Sequence, residues 1–171
     1  KLDFRGIVTT NYDMVIEAAI IDVLRDQNGY YTNCDSVDLC NQERRFRVSE
    51  FLRNLSATSN YRSGVLHLHG FYSNAPQIIL TKKDYLTNYG RISNTGLEQV
   101  PLDSLHRKVI WTLLAAYPVV FIGFGMKDPF FMPLLEVVKE DLNLEGDTLH
   151  YAILPDSDEE GARKLKERYT V

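Results

Sequence analysis

The chain holds only two cysteines, Cys34 and Cys40, and no Cys-x-x-Cys pair. A zinc ribbon, which draws its ligands from such pairs, is excluded, and two thiols in a composition of this kind read as reduced. Basic charge is also short: 19 Lys and Arg against 23 Asp and Glu leave a net charge of -4, with no general attraction to nucleic acid. The one basic cluster, Arg44-Arg45-Phe46-Arg47, is brief and follows Glu43, so a solvated face is its better reading. No apolar run approaches the ~20 residues needed to span a bilayer, and no secretory leader is visible. The expectation is a cytoplasmic protein with neither a direct nucleic-acid partner nor a membrane. Internal repeats and low-complexity tracts are missing too.

What is present suits one ordinary globular domain. The 171 residues are 44% hydrophobic and 25% charged, enough for a sizeable core. The chain opens on Lys1, a few residues before a strand, and closes on Tyr169-Thr170-Val171, which reads as the start of another. The expectation is an excerpt of a longer protein.

Strands and helices alternate. Phe4 to Thr10 is a short β-branched run without polar alternation, as in a buried parallel strand, and it ends at Asn11-Tyr12-Asp13. Asp13 caps a predicted helix with Ile16, Ile20, Val23 and Leu24 at helical spacing. Residues 28–63 are polar, with one helical candidate at Val48–Leu55, and read as an inserted lid or small subdomain. Pro76 to Leu80 is expected as a strand, Thr81 as the cap of a helix answered by Asp84, and 90–101 as a loop. A helix follows from Leu102 to Tyr117, in which His106 is a surface or packing residue. Val119 to Ile122 is wholly apolar and predicted to be buried on both faces. After Gly123-Phe124-Gly125, Asp128-Pro129 opens a helix carrying Phe131, Leu134, Leu135 and Val138 inward. Leu149 to Leu154 is a further strand, and Ser157 to Tyr169 a solvated helix, acidic first and basic last.

The most informative stretch is Gly64-Val-Leu-His-Leu-His-Gly70. Its alternation argues for a strand with His67 and His69 on one side, and Gly70 lets the chain turn. An imidazole at the carboxyl end of a strand suits a base that reaches a ligand, because that edge of an open α/β sheet is where ligands bind. The plainer alternatives are a hydrogen-bonded structural histidine, or two metal ligands from His-x-His, for which no further ligand cluster follows. Gly123-x-Gly125 is by itself weak, since the third glycine of a dinucleotide fingerprint is lacking and turn glycines would look the same.

Three strands thus end in Thr-Thr-Asn-Tyr-Asp, His-Leu-His-Gly and Gly-Phe-Gly-Met-Lys-Asp-Pro, turns that one parallel sheet would align along one edge. In this order the residues from about Ile7 to Ile153 resemble the sirtuin-like domain. With Thr81-Lys-Lys-Asp-Tyr85 and the Phe121 to Pro129 turn, they resemble its bacterial antiphage-defence branch more than the protein deacylases. The resemblance implies an α/β fold, a Rossmann-like parallel sheet flanked by helices, and NAD+ as substrate. It implies Asn11 and His69 as catalytic residues, His69 being the base. Thr10, Asp13, Gly70, Gly123, Phe124, Gly125 and Asp128 become its cofactor-binding positions. Relatives usually carry serine in place of Gly125, a departure that removes one ligand hydrogen bond. The family's glycine-rich phosphate loop belongs before the Asn-x-Asp strand, so the expectation is a single domain lacking that part and inactive in isolation.

Such chemistry suits these residue types independently. Cleaving nicotinamide from ribose has a good leaving group and passes through an oxocarbenium-like state, which calls for positioning and a base. A histidine supplies the base, and an asparagine amide orients water or a sugar hydroxyl without adding charge. No metal is needed for this, and the four-cysteine zinc module of the deacylases cannot be built from two cysteines. The expected activity is hydrolysis of NAD+ to nicotinamide and ADP-ribose in abortive infection, with further domains and an oligomer as partners. The rivals are an NAD or ADP-ribose sensor or scaffold without turnover, and transfer of ADP-ribose or an acyl group.

Overall fold

A computed structural model describes residues 4–28, 34–57, 64–90, 92–93, 96–97, 104–124, 128, 130–144, 149–155, 159–169 and 171. The chain divides into two compact units, Lys1–Thr81 and Lys82–Val171.

The first unit is built on a three-stranded parallel sheet. β1 (Ile7–Thr9), β2 (Ser36–Asp38) and β3 (Val65–His67) lie in the order β1-β3-β2. Thr9 and Asp38 both pair with His67, so all three strands end together. Between them run α1 (Val15–Asn28) and α2 (Arg45–Leu55), the helical crossovers that parallel strands require. Central β3 is fully buried, and Val65 and Leu66 each contribute roughly 1.5–3 kcal/mol by leaving water. α2 offers Val48, Phe51 and Leu55 at helical spacing and packs beside β2.

The described part of 28–63, expected as an inserted lid or small subdomain, thus supplies an outer strand and a crossover helix of the sheet. Ser36-Val37-Asp38 carries a single apolar residue, and its pairing with β3 provides what local propensity does not. The basic cluster is solvated as expected at Arg44 and Arg45, while Arg47 pairs with Asp35 and with Glu50 at 3.4 Å. On α1, Val23 faces solvent, contrary to expectation, and Glu17 is buried. The strand expected at Pro76–Leu80 does not form. Tyr72–Gln77 takes 3-10 turns that include Pro76, whose ring removes a ladder donor.

The second unit contains α3 (Lys82–Tyr89), a short antiparallel pair β4 (Ile92–Ser93) and β5 (Gly96–Leu97), and α4 (Leu105–Ala116). That pair falls within the loop expected at 90–101. Next come β6 (Val120–Ile122), α5 (Met132–Asp141), β7 (Tyr151–Ile153) and α6 (Glu159–Tyr169). β6 and β7 run parallel, with Phe121 opposite Ala152, and α5 connects them. α4 packs on α3 and α5, and α5 on α6. Phe131, Leu134, Leu135 and Val138 are buried as expected, and His106 packs its ring 5.8 Å from that of Tyr89.

β6 departs from its expected burial on both faces. Phe121 is buried among Phe124, Phe131 and His150, but Val120 and Ile122 are 39% and 62% exposed. An unbroken apolar run fixes that a strand forms; which faces are covered depends on what packs there.

Candidate functional site

Short β-branched β1 ends at Thr9, and Thr10 and Asn11 follow without regular structure. β3 ends at His67, and His69 occupies the bend after it. Because Thr9 and His67 are opposed, Asn11 and His69 are each two residues beyond the last paired position of adjacent parallel strands. They share the carboxyl edge of the first unit's sheet, and the Leu68 N–H donates to the Thr9 carbonyl at 2.9 Å to tie the two exits together.

Asn11 is exposed while its main chain is held. Its N–H donates to Thr9 Oγ1 at 3.1 Å, and its carbonyl lies 3.0 Å from His67 Nδ1. His69 is only 5% exposed, with its ring centroid 6.2 Å from that of Tyr12. The His69 carbonyl accepts from Ile79 N–H at 3.0 Å. Exposed Asp13 accepts the Val15 N–H at 3.1 Å, giving α1 the side-chain cap that the sequence suggests.

Gly70 turns the chain at φ +84, and a Cβ there would meet Ile78 Cγ2 at 3.3 Å and Cys40 Cβ at 3.4 Å. Glycine is required both by the left-handed backbone and by the close approach.

The two histidines of His-x-His are not equivalent. Both ring nitrogens of His67 are engaged, Nδ1 by Asn11 and Nε2 by Glu17 Oε1 at 2.7 Å, which makes it the hydrogen-bonded structural residue and leaves no nitrogen for a metal. Among the described residues, no group of three or more His, Cys, Asp or Glu is arranged to hold a metal ion. Glu17 escaped the sequence reading because a carboxylate on a helix is ordinarily solvated. Its place among Ile16, Ile20 and Leu24 on the inward stripe was the available signal.

The remaining candidates belong to the second unit. Gly123 follows β6 at φ +64, a backbone that disfavours a side chain. Phe124 packs its ring 4.9 Å from Phe131. Asp128 Oδ1 accepts the N–H groups of Phe130 and Phe131 at 2.8 and 2.9 Å, capping the turn into α5. Gly125 lies outside the described residues.

A Rossmann-like α/β protein, with short parallel sheets flanked by helices and polar side chains at the carboxyl ends of its strands, is the class these features define. Residues 5–171 match the SIR2-like domain family, and the chain belongs to that family. No curated protein and no solved structure matches it. SIR2-like domains are in general NAD-dependent enzymes. No helix among the described residues is long and apolar enough to cross a membrane.

Proposed function

We propose that this domain hydrolyses NAD+ to nicotinamide and ADP-ribose, and that it does so in a bacterial antiphage defence system of the abortive-infection kind. The observation that supports the catalytic part is that Asn11 and His69 each lie two residues beyond the last paired position, Thr9 opposite His67, of adjacent parallel strands. The antiphage assignment rests on the resemblance of Thr81–Tyr85 and Phe121–Pro129 to the defence branch.

In the proposed reaction the bond between ribose C1′ and the nicotinamide nitrogen breaks, and its electron pair leaves with nicotinamide. Water adds to the oxocarbenium-like carbon and gives its proton to His69, directly or through a ribose hydroxyl. Asn11 orients the water or the sugar through its uncharged amide. Positioned base catalysis of this kind contributes typically ~10²- to 10⁴-fold. Thr10, Asp13 and Gly70 are assigned to the nicotinamide-ribose end. Gly123, Phe124, Gly125 and Asp128 are assigned to the adenosine end on the resemblance alone.

The test is nicotinamide release from NAD+ by the full-length protein and by its His69→Ala and Asn11→Ala variants. Release that falls at least 100-fold in both folded variants is expected. Binding without release in the unsubstituted protein would favour a sensor or scaffold instead, and label moving onto a protein would favour transfer.

A further inference from the structure

The catalytic reading leaves unused the most deeply buried polar pair of the first unit. His67 and Glu17 have side chains 0% and 4% exposed, 2.7 Å apart, on the central strand and on the helix that follows Asn11. Glu17 Oε1 also accepts the Ser36 hydroxyl at 2.7 Å, so the carboxylate is anchored to the far strand β2 as well. On its other side, the His67 ring reaches the Asn11 carbonyl at 3.0 Å. A carbonyl only accepts, so Nδ1 must carry a proton, and a proton also lies on the contact between Nε2 and Glu17. Glu17 thereby fixes which way the imidazole presents its donors.

We infer that His67, oriented by Glu17, is a positioning residue for Asn11: its bond to the Asn11 carbonyl clamps that main chain so that the amide side chain meets the ribose at a fixed angle. The inference rests on the proposed NAD+ cleavage for its functional consequence. Asn11 sits between strand and helix, and its main chain is held from one side by Thr9 Oγ1 and from the other by His67. Releasing one of the two lets the peptide plane rotate, and a displacement of ~1 Å at a reacting centre can cost ~10²-fold in rate. Glu17 and His67 are buried and Ser36 is half-buried, which restricts the access of water to these bonds; Glu17 Oε2 is buried without a hydrogen-bond partner, so the carboxylate is held through Oε1 alone.

Two substitutions separate positioning from general stability. In His67→Asn the amide nitrogen takes the place of Nδ1 and keeps the bond to Asn11, whereas in His67→Gln it takes the place of Nε2 and keeps only the bond to Glu17. With folding verified by thermal melting, His67→Gln is expected to lower kcat for nicotinamide release by roughly 10- to 100-fold at a KM within threefold. His67→Asn is expected to stay within about fivefold of the unsubstituted protein. Equal kcat in the two variants overturns the inference. The ¹⁵N spectrum of the imidazole provides a readout that does not depend on turnover or on the variants folding. A protonated Nδ1 is expected and a bare Nδ1 overturns the inference. If the unsubstituted protein releases no nicotinamide, the hydrolase reading falls, and NAD+ affinity of the two variants replaces kcat with the same expected order.

Discussion

The Tyr12 hydroxyl donates to the carbonyl of Ile79 at 2.7 Å, and the Ile79 N–H in turn donates to the carbonyl of His69 at 3.0 Å. The residue between Asn11 and Asp13 therefore pins the segment that crosses behind His69, and the Tyr12 carbonyl accepts the Tyr72 N–H at 3.0 Å as a second tie. Tyr12→Phe removes only the hydroxyl and leaves the ring beside His69. The expected cost is about 1 kcal/mol of stability, with a larger relative loss of turnover than of NAD+ binding. Denaturant unfolding and steady-state kinetics of the variant check this. Full activity at reduced stability would show that the tie serves the fold alone.

Gly70 is the second point at which local backbone and candidate site coincide. An alanine there must adopt φ near +84 and place its Cβ in tight contact with Ile78. Gly70→Ala is expected to destabilise the protein by ~1–2 kcal/mol from the left-handed backbone, with crowding adding to it. In urea the midpoint should fall with the slope unchanged, because the surface exposed on unfolding is the same. A midpoint equal to that of the parent would mean that the turn tolerates a side chain.

The sequence made the ends of β1 and β3 legible for a physical reason. A β-branched run such as Ile7-Val8-Thr9 favours a strand, followed by a polar turn, although β1 is not the buried strand expected: Ile7 is half-buried and Val8 is 39% exposed. The same logic located α1, α4, α5 and α6. Local pattern could not find β2, because Ser36-Val37-Asp38 gains its structure from β3, 29 residues further on. It misjudged Ile78-Ile79-Leu80, where β propensity yields to the 3-10 turns just before it. At the site, the positions of Asn11 and His69 just beyond two adjacent strands were readable as two strand exits. The buried contact of Glu17 with His67 was not, because it joins residues 50 apart in the chain whose types are ordinarily solvated.

Cys34 reports on the acidic, half-buried surroundings of Glu17. Burial, and then the carboxylates of Glu17 and Asp35, push its thiol up to about 11. The thiolate is the reacting form, so alkylation by iodoacetamide at pH 8 is expected to run roughly 100-fold more slowly at Cys34 than in an unstructured peptide. Glu17→Gln removes one of the causes and should speed the reaction. Peptide mass spectrometry over a time course measures both rates, and a Cys34 rate equal to that of the peptide would contradict the assigned environment.

His150 gives the second unit a pH dependence of defined sign. It is buried beside Phe121, and its Nδ1 accepts the Val119 N–H at 3.3 Å, so the neutral ring is the one the fold uses. Burial lowers its pKa from the ordinary 6.5. Below that pH the unfolded chain takes up a proton that the folded chain resists, and stability falls as pH falls. One proton limits the slope to about 1.4 kcal/mol per pH unit. His150→Asn places an amide oxygen where Nδ1 stands and keeps the acceptor for Val119 without a titrating group. Unfolding free energies at pH 7.5 and 5.5 should therefore drop more in the parent than in this variant. An equal drop in both would assign the acid sensitivity to other groups and leave His150 without a part in it.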